Sequence, residues 1–246
     1  MIPSTIIAAS GLKKKNCNVV LYKGDNTAKD VIGMGFTPDL LLTKDLASGS
    51  NGVGHFGLQV YANTDKVIGW GAEYLDNTNT LPGQGNSGIP PSSETVKAVI
   101  DDGFSIGVAD IVGKANVANP NFAAYGFRRN SDFFNMVTYS SDGMSSKAIP
   151  HKLSSTPKMM IVMPVSGILN PLYKYVYHAS MSGTPQNDYL KFNTQDAKAS
   201  SSGIWNNTAP DSTNFTVGQT LNGTFGVPNS GMYTAYLWAE QQGQSK

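Results

Sequence analysis

Charge is the scarcest feature of this 246-residue chain: Asp, Glu, Lys and Arg make up 14%, against ~25% in an average soluble domain. What charge there is balances, with 18 Lys and Arg against 17 Asp and Glu and a formal net charge of +1. No global field draws in DNA, RNA or an anionic membrane, which disfavours a dedicated nucleic-acid binder. Cysteine occurs once, at Cys17, which excludes an internal disulfide framework and a cysteine-based zinc site. Glutamate occurs only at Glu73, Glu94 and Glu240. Long exposed helices would call for more. No segment approaches ~18 consecutive apolar residues, and Met1 to Ile7 lacks a basic stretch leading into a long apolar one. The expectation is a soluble chain with no signal peptide and no membrane insertion.

Turn chemistry is plentiful instead. The chain holds 26 Gly and 13 Pro, and Asn, Ser and Thr take over the solvation that ions usually provide. Gly, Asn, Asp and Pro supply the backbone angles of tight connections, so the composition predicts an all-β protein rich in turns. The length allows one large domain or two of about 120 residues.

An internal repeat favours two. Asn18-Val19-Val20-Leu21-Tyr22-Lys23-Gly24-Asp25 followed by Thr37-Pro38-Asp39-Leu40-Leu41-Leu42 is answered by Asn135-Met136-Val137-Thr138-Tyr139-Ser140-Ser141-Asp142 followed by Thr156-Pro157-Lys158-Met159-Met160-Ile161. Gly103-Phe104-Ser105-Ile106-Gly107 is answered by Asn214-Phe215-Thr216-Val217-Gly218, and Phe122 to Phe127 by Tyr233 to Trp238, both at one common offset. The reading is an N-terminal segment 1–15, a first module 16–132 and a second module 133–246.

Within each copy the apolar residues follow strand spacing. The aromatic and β-branched residues of 122–127 and 233–238 suit a pleated, half-buried surface. Leu40-Leu41-Leu42 and Met159 to Met163, each entered from a proline, read as strands buried on both faces. Further strands are expected at 56–61, 67–70, 96–100, 173–178 and 189–192, and short helical turns at 28–32 and 194–200. Strands of this length joined by turns such as Asp101-Asp102-Gly103 and Ser141-Asp142-Gly143 predict tandem antiparallel β-sandwiches. The polar stretch Leu75 to Pro91 reads as a projecting loop of the first module.

The second module resembles a known one on the residues Val137-Thr138-Tyr139, Ile149-Pro150-His151-Lys152-Leu153, Thr156 to Val162, Trp205-Asn206-Asn207-Thr208-Ala209-Pro210 and Tyr233 to Glu240. It looks like a module of structural proteins of marine tailed phages, found in tandem in tail-fibre-like and other virion proteins. The first module matches through Gly35 to Lys44 and Asp102 to Gly107, and departs where Tyr125-Gly126-Phe127-Arg128-Arg129 stands in place of a Trp-rich closing strand. The resemblance implies a concanavalin-like or jelly-roll sandwich, a place in the virion and partners among other virion proteins. It brings no catalytic residues.

The residues by themselves also argue against an enzyme. His55, His151 and His178 lack zinc spacing. His151, after Pro150, reads as a hydrogen-bonding turn residue. The G-x-S-x-G elbow of serine hydrolases is absent, and Ser166 lacks its leading glycine. No strand carries the alternating carboxylates of a sandwich glucanase, and Asp101-Asp102 read as a turn. Asp25, Asn26 and Asp30 offer oxygen ligands without calcium-loop spacing, so no cofactor is expected. Host surface glycan is the best ligand class, because flat aromatic faces stack on sugar rings while amides hydrogen-bond. Trp70, Tyr74 and Asn77 beside the long loop, and Trp205 and Asn206 in the second module, are the candidates. Trp205 also belongs to the resemblance pattern, which gives it a second reading as a side chain packed under its loop. Lys13, Lys14 and Lys15 end the segment expected to anchor the chain to another virion protein. A homo-oligomer, a trimer, is expected from the closed symmetry of virion attachment sites. The two roles that follow are a tail or appendage component meeting host glycans and a capsid decoration protein touching only virion proteins.

Overall fold

The computed structural model describes residues 15–46, 58–63, 67–69, 96–107, 121–166, 174–192, 196–222 and 231–241. Among them the chain is all-β, with one four-residue helix, α1 (Ser202–Trp205), and two short 3-10 turns. The first half holds β1 (Cys17–Lys23), β2 (Lys29–Ile32), β3 (Leu40–Asp45), β4 (Leu58–Asn63), β5 (Val67–Gly69), β6 (Val96–Ile100), β7 (Gly103–Ile106) and β8 (Asn121–Phe127). The second holds β9 (Phe134–Ser140), β10 (Ser146–Pro150), β11 (Pro157–Ser166), β12 (Tyr175–His178), β13 (Asp188–Lys191), β14 (Ala199–Ser200), β15 (Asn214–Gly218) and β16 (Met232–Ala239).

Each half forms a large and a small antiparallel sheet. The large sheets run β1-β8-β3-β4-β5 and β9-β16-β11-β12-β13-β14, and the small ones β2-β7-β6 and β10-β15. In both large sheets the opening strand of the half lies at one edge, beside the half's closing strand. Registers match as well as order: Cys17 and Leu40 both face Phe127, as Phe134 and Met159 both face Trp238.

Three apolar clusters stack these sheets. Val31, Phe104 and Ile106 of the first small sheet pack with Met34 and Phe36 onto Leu41 and Ala124 of the first large sheet. Ile149, Phe215 and Val217 of the second small sheet pack with Ile204 and Trp205 onto Met160, Val162 and Leu237 of the second large sheet. The third cluster lies between the large sheets, where Cys17, Leu40 and Phe127 meet Phe134, Ile161 and Trp238. Around β3 and β8 in the first half and β11 and β16 in the second, the large sheets therefore bury both faces. Leu40 and Leu41 point in opposite directions and are 1% and 0% exposed, as the continuous apolar run predicts. Phe127, Phe134 and Trp238 form a ring trio across the seam, with centroids 5.0 to 5.5 Å apart. Such pairs contribute roughly 0.5–1.5 kcal/mol beyond area burial.

Each half carries a second ring trio in its own core. Tyr22 stacks on Phe122 at 5.2 Å and meets Phe104 edge-on at 5.7 Å. Tyr139 stacks on Tyr233 at 5.2 Å and meets Phe215 edge-on at 6.2 Å. Both sets occupy the aligned positions of the sequence repeat.

Two sequence expectations are corrected. In the span 28–32, Lys29–Ile32 form the edge strand β2 rather than a helical turn, because Val31 points into the core while Asp30 and Ile32 point out, a period of two. The helical turn expected at 194–200 falls instead at α1, where Ser201 Oγ caps the amide of Gly203; Ala199 and Ser200 pair with β13. The prolines of β11 sit beside register shifts, at Pro157/Met159 and Pro164/Ser166, so each missing N–H falls where the ladder is already irregular.

Gly126 marks where the halves differ in packing. A methyl group there would lie 2.5 Å from Met34 Sδ. The aligned position in the second half is Leu237, fully buried. Met34 thus fills from the loop the space that Leu237 fills from the sheet. Gly126→Ala is expected to destabilise the fold by about 1–3 kcal/mol through overpacking. Met34→Ala in the same chain should recover part of that loss; additive losses in a denaturant titration would refute the account.

Candidate functional site

The second half places its one described candidate aromatic on a short ordered loop. Ser201 caps α1, and Asn206 ends it in the left-handed conformation at φ 51°. Asn207, also at φ 51°, continues the turn, and Thr208 returns its N–H to the carbonyl of Trp205. Asparagine tolerates these angles better than most residues. Gly218 lets β15 approach this loop: a Cβ there would lie 2.6 Å from the carbonyl oxygen of Gly203.

Trp205 is not a ligand platform. It is 1% exposed, its Nε1–H donates to the carbonyl of Asp188 at 2.9 Å, and its ring meets Tyr177 edge-on. With both faces packed in the core, its indole cannot stack on a sugar, and the reading as a packed side chain is the one that holds. Asn206 is exposed beside it, and its carbonyl accepts from Thr208 Oγ1. Trp70, Tyr74 and Asn77 lie outside the described residues, as do Lys13 and Lys14. Lys15 is exposed, and its carbonyl accepts a hydrogen bond from Arg128 Nη2.

Among the described residues, His151, Asp102 and Asp25 are occupied by the fold. His151 is fully buried; its Nδ1 accepts from the amide of Leu153, which leaves Nε2 to donate to the carbonyl of Asp211. Asp102 accepts the amides of Gly33 and Gly35, which ties the β6–β7 turn to the loop after β2. Asp25 accepts Thr27 N–H, Thr27 Oγ1 and Lys29 Nζ, so a cation there would have to displace an ammonium. Among the described residues no three His, Cys, Asp or Glu side chains gather as a metal site.

Asp188 is the best-built polar cluster. Its carboxylate, 5% exposed, accepts from Ser200 Oγ at 2.5 Å and pairs with Lys198 Nζ at 3.0 Å. Hydrogen bonds from Ser182, Ser200 and Lys198 hold its pKa down to about 2. An ionised carboxylate whose acceptor sites are filled by its neighbours ties the end of β13 to β14 and offers no proton to a reaction.

A family model for DUF7483, a domain of unknown function, matches residues 13–246. The chain belongs to this family. No curated protein and no solved structure matches it. The DUF7483 model spans both halves as a single unit.

The DUF7483 fold also contains a device that residue types alone did not reveal, at the edge strands β1 and β9. Asn18 Oδ1 accepts the amide of Val19, and its Nδ2 donates to the carbonyls of Gly33 and Met34. Asn135 repeats this with the amide of Met136 and the carbonyl of His151. Lys29 Nζ caps the carbonyl of Lys23 and pairs with Asp25; Lys147 Nζ caps that of Ser140 and pairs with Asp142 at 3.6 Å. One N–H and one carbonyl at the outer edge of each strand are thus filled from within, which partly blunts the edge against pairing with another chain. The signal was the matched Asn and Asp at the two ends of the repeated segment.

Two predictions follow from charge. The folded-state pKa of Asp188 is depressed, so its stabilisation is present above about pH 4 and lost as pH falls from there toward 2. Asp188→Asn should lower the melting temperature at pH 7 and flatten its fall over that window; an unchanged acid profile would contradict the assignment. Lys174 is 5% exposed, and burial lowers its pKa to about 8. An ammonium buried at such a cost makes the fold gain stability as pH rises from 8 toward 10.5. Lys174→Met should abolish this gain, so that the melting temperature no longer rises between pH 8 and pH 10.5; a rise that persists in the variant would refute the assignment.

Proposed function

We propose that this chain is a non-enzymatic structural component of a tailed-phage virion, built from two copies of one β-sandwich module, residues 16–132 and 133–246, of concanavalin-like or jelly-roll kind. The observation that carries the reading is the stacking of two register-matched halves through their large sheets, with the polar groups suited to chemistry consumed in turns and edge caps. That is the construction of a rigid spacer whose loops and termini make the contacts. The matched ring trios and edge caps support descent of the halves from one module. The phage setting rests on the resemblance of the second half to modules of marine tailed-phage structural proteins.

In this reading the chain is a tail or appendage component, and its loops, including the stretch around Trp70, Tyr74 and Asn77, face the host surface and its glycans. Lys13, Lys14 and Lys15 belong to the segment that fixes it to another virion protein. A low-charge surface suits close packing against neighbours, where each buried ion would cost desolvation.

Immunogold labelling of purified particles tests the placement. Label on the tail or at one vertex supports an appendage, label over the whole shell replaces it with a decoration protein, and no label on particles refutes both. Removing residues 1–14, which leaves the Lys15 carbonyl for Arg128, should abolish incorporation without changing the melting temperature. Normal incorporation of the truncated chain would remove the anchoring role.

A further inference from the structure

The chain enters the fold at a weakly held strand. Among the described residues β1 is an edge strand with β8 as its one ladder partner, and none of its side chains is fully buried. Its counterpart β9 is also an edge strand, but it buries Phe134, Met136 and Tyr139, and Phe133 just before it is 2% exposed.

Both strands begin at a fork. The Arg128 N–H donates to the carbonyl of Asn16 at 2.8 Å, and at the aligned place the Ala239 N–H donates to the carbonyl of Phe133 at 2.7 Å. These forks stand at the two ends of one short link, residues 128–133, which Asn130 closes into a turn through its bonds with Phe133 and Phe134. The chain coming in at Asn16 and the chain leaving at Ala239 are therefore each bonded to an end of the same link.

The two forks are fastened differently. At the second, Phe133 and Ala239 are apolar and buried. At the first, Arg128 Nη2 donates to the carbonyl of Lys15 at 3.1 Å and to Oδ1 of the buried Asn16 at 3.0 Å, and the guanidinium lies 5.4 Å from the centre of the Phe36 ring. Hydrogen bonds from an ionised donor are stronger than neutral ones, and a guanidinium holds its donors in a fixed plane. A fork is where an antiparallel pair yields under tension, because pulling its arms apart breaks the ladder one bond at a time from the open end. Apolar burial resists this at β9, and β1 lacks that burial.

We infer that Arg128 is a clasp that lets the chain bear tension entering through its N-terminal segment. Tension arriving at Lys15 passes to Arg128, along the link to Phe133 and out at Ala239, so the ladder of β1 is not peeled. The source of that tension rests on the anchoring role proposed above for residues 1–15, whereas the clasp is a property of the isolated chain.

Single-molecule pulling of the full chain between handles at residues 1 and 246 decides it. The wild type is expected to keep β1 in place until the main unfolding event. Arg128→Ala gives the first fork the residue of the second, and it is expected to add an earlier step at lower force that frees the seven residues of β1, about 23–25 Å of extended chain. Arg128→Lys keeps the charge without the planar donors; it should free β1 at an intermediate force and serves if the alanine variant does not fold. Asp188→Asn weakens the chain away from the link and should add no such step, which separates the clasp from a general loss of stability. An early β1 step in the wild type, its absence from both Arg128 variants, or its appearance in Asp188→Asn overturns the inference. The virion role is read separately, by particle labelling.

Discussion

A β-sheet covered on both faces has no side on which to put a polar residue, and this constraint governs the two large sheets. Each carries its small sheet on one face and the other large sheet on the opposite face. The consequence is local in sequence: Leu40-Leu41-Leu42 and Met159 to Met163 cannot alternate, because both of their directions lead into a core. It is also global, since the seam through Phe127, Phe134 and Trp238 joins what would otherwise be two separate two-layer bodies. The short link between them is built into the same region. Arg128 donates to Asn16 and lies over the Phe36 ring, while Arg129 is held by Asp39.

Much of this was legible from the residues alone. Strand positions followed from apolar spacing, and the aligned segments fell on strands of equal rank in the two large sheets. The turn roles of Asp101-Asp102 and His151 followed from their neighbours. What escaped was tertiary. A helical pattern over Ala28 to Ile32 gave way to an edge strand because β7 offered a ladder and a core for Val31. Trp205 looks the same in sequence whether it is a binding platform or a packed ring, and only the carbonyl of Asp188 and the ring of Tyr177 distinguish them. Likewise the seam could not be read from one module's pattern, since a face covered by its twin and a face covered by a helix have the same composition.

The paired comparison inside one chain separates framework from variation. Asn18 and Asn135, Asp25 and Asp142, Lys29 and Lys147, and the two Tyr-centred ring trios keep residue type and geometry together. Where the halves diverge, the divergence is either compensated, as Gly126 with Met34 against Leu237, or placed at the surface, as Leu21 against Thr138. Compensated differences preserve the fold. Surface differences leave the packing of either half untouched.

The partly capped edges of β1 and β9 bear on how readily another chain could pair with them. Strands that add to strands extend without end, because every addition recreates the edge it consumed, and that is the geometry of amyloid. Asn18 and Lys29 at β1, and Asn135 and Lys147 at β9, each occupy one backbone group that such growth would use. Pairing of another chain along β1 or β9 would first have to displace these side chains from the backbone.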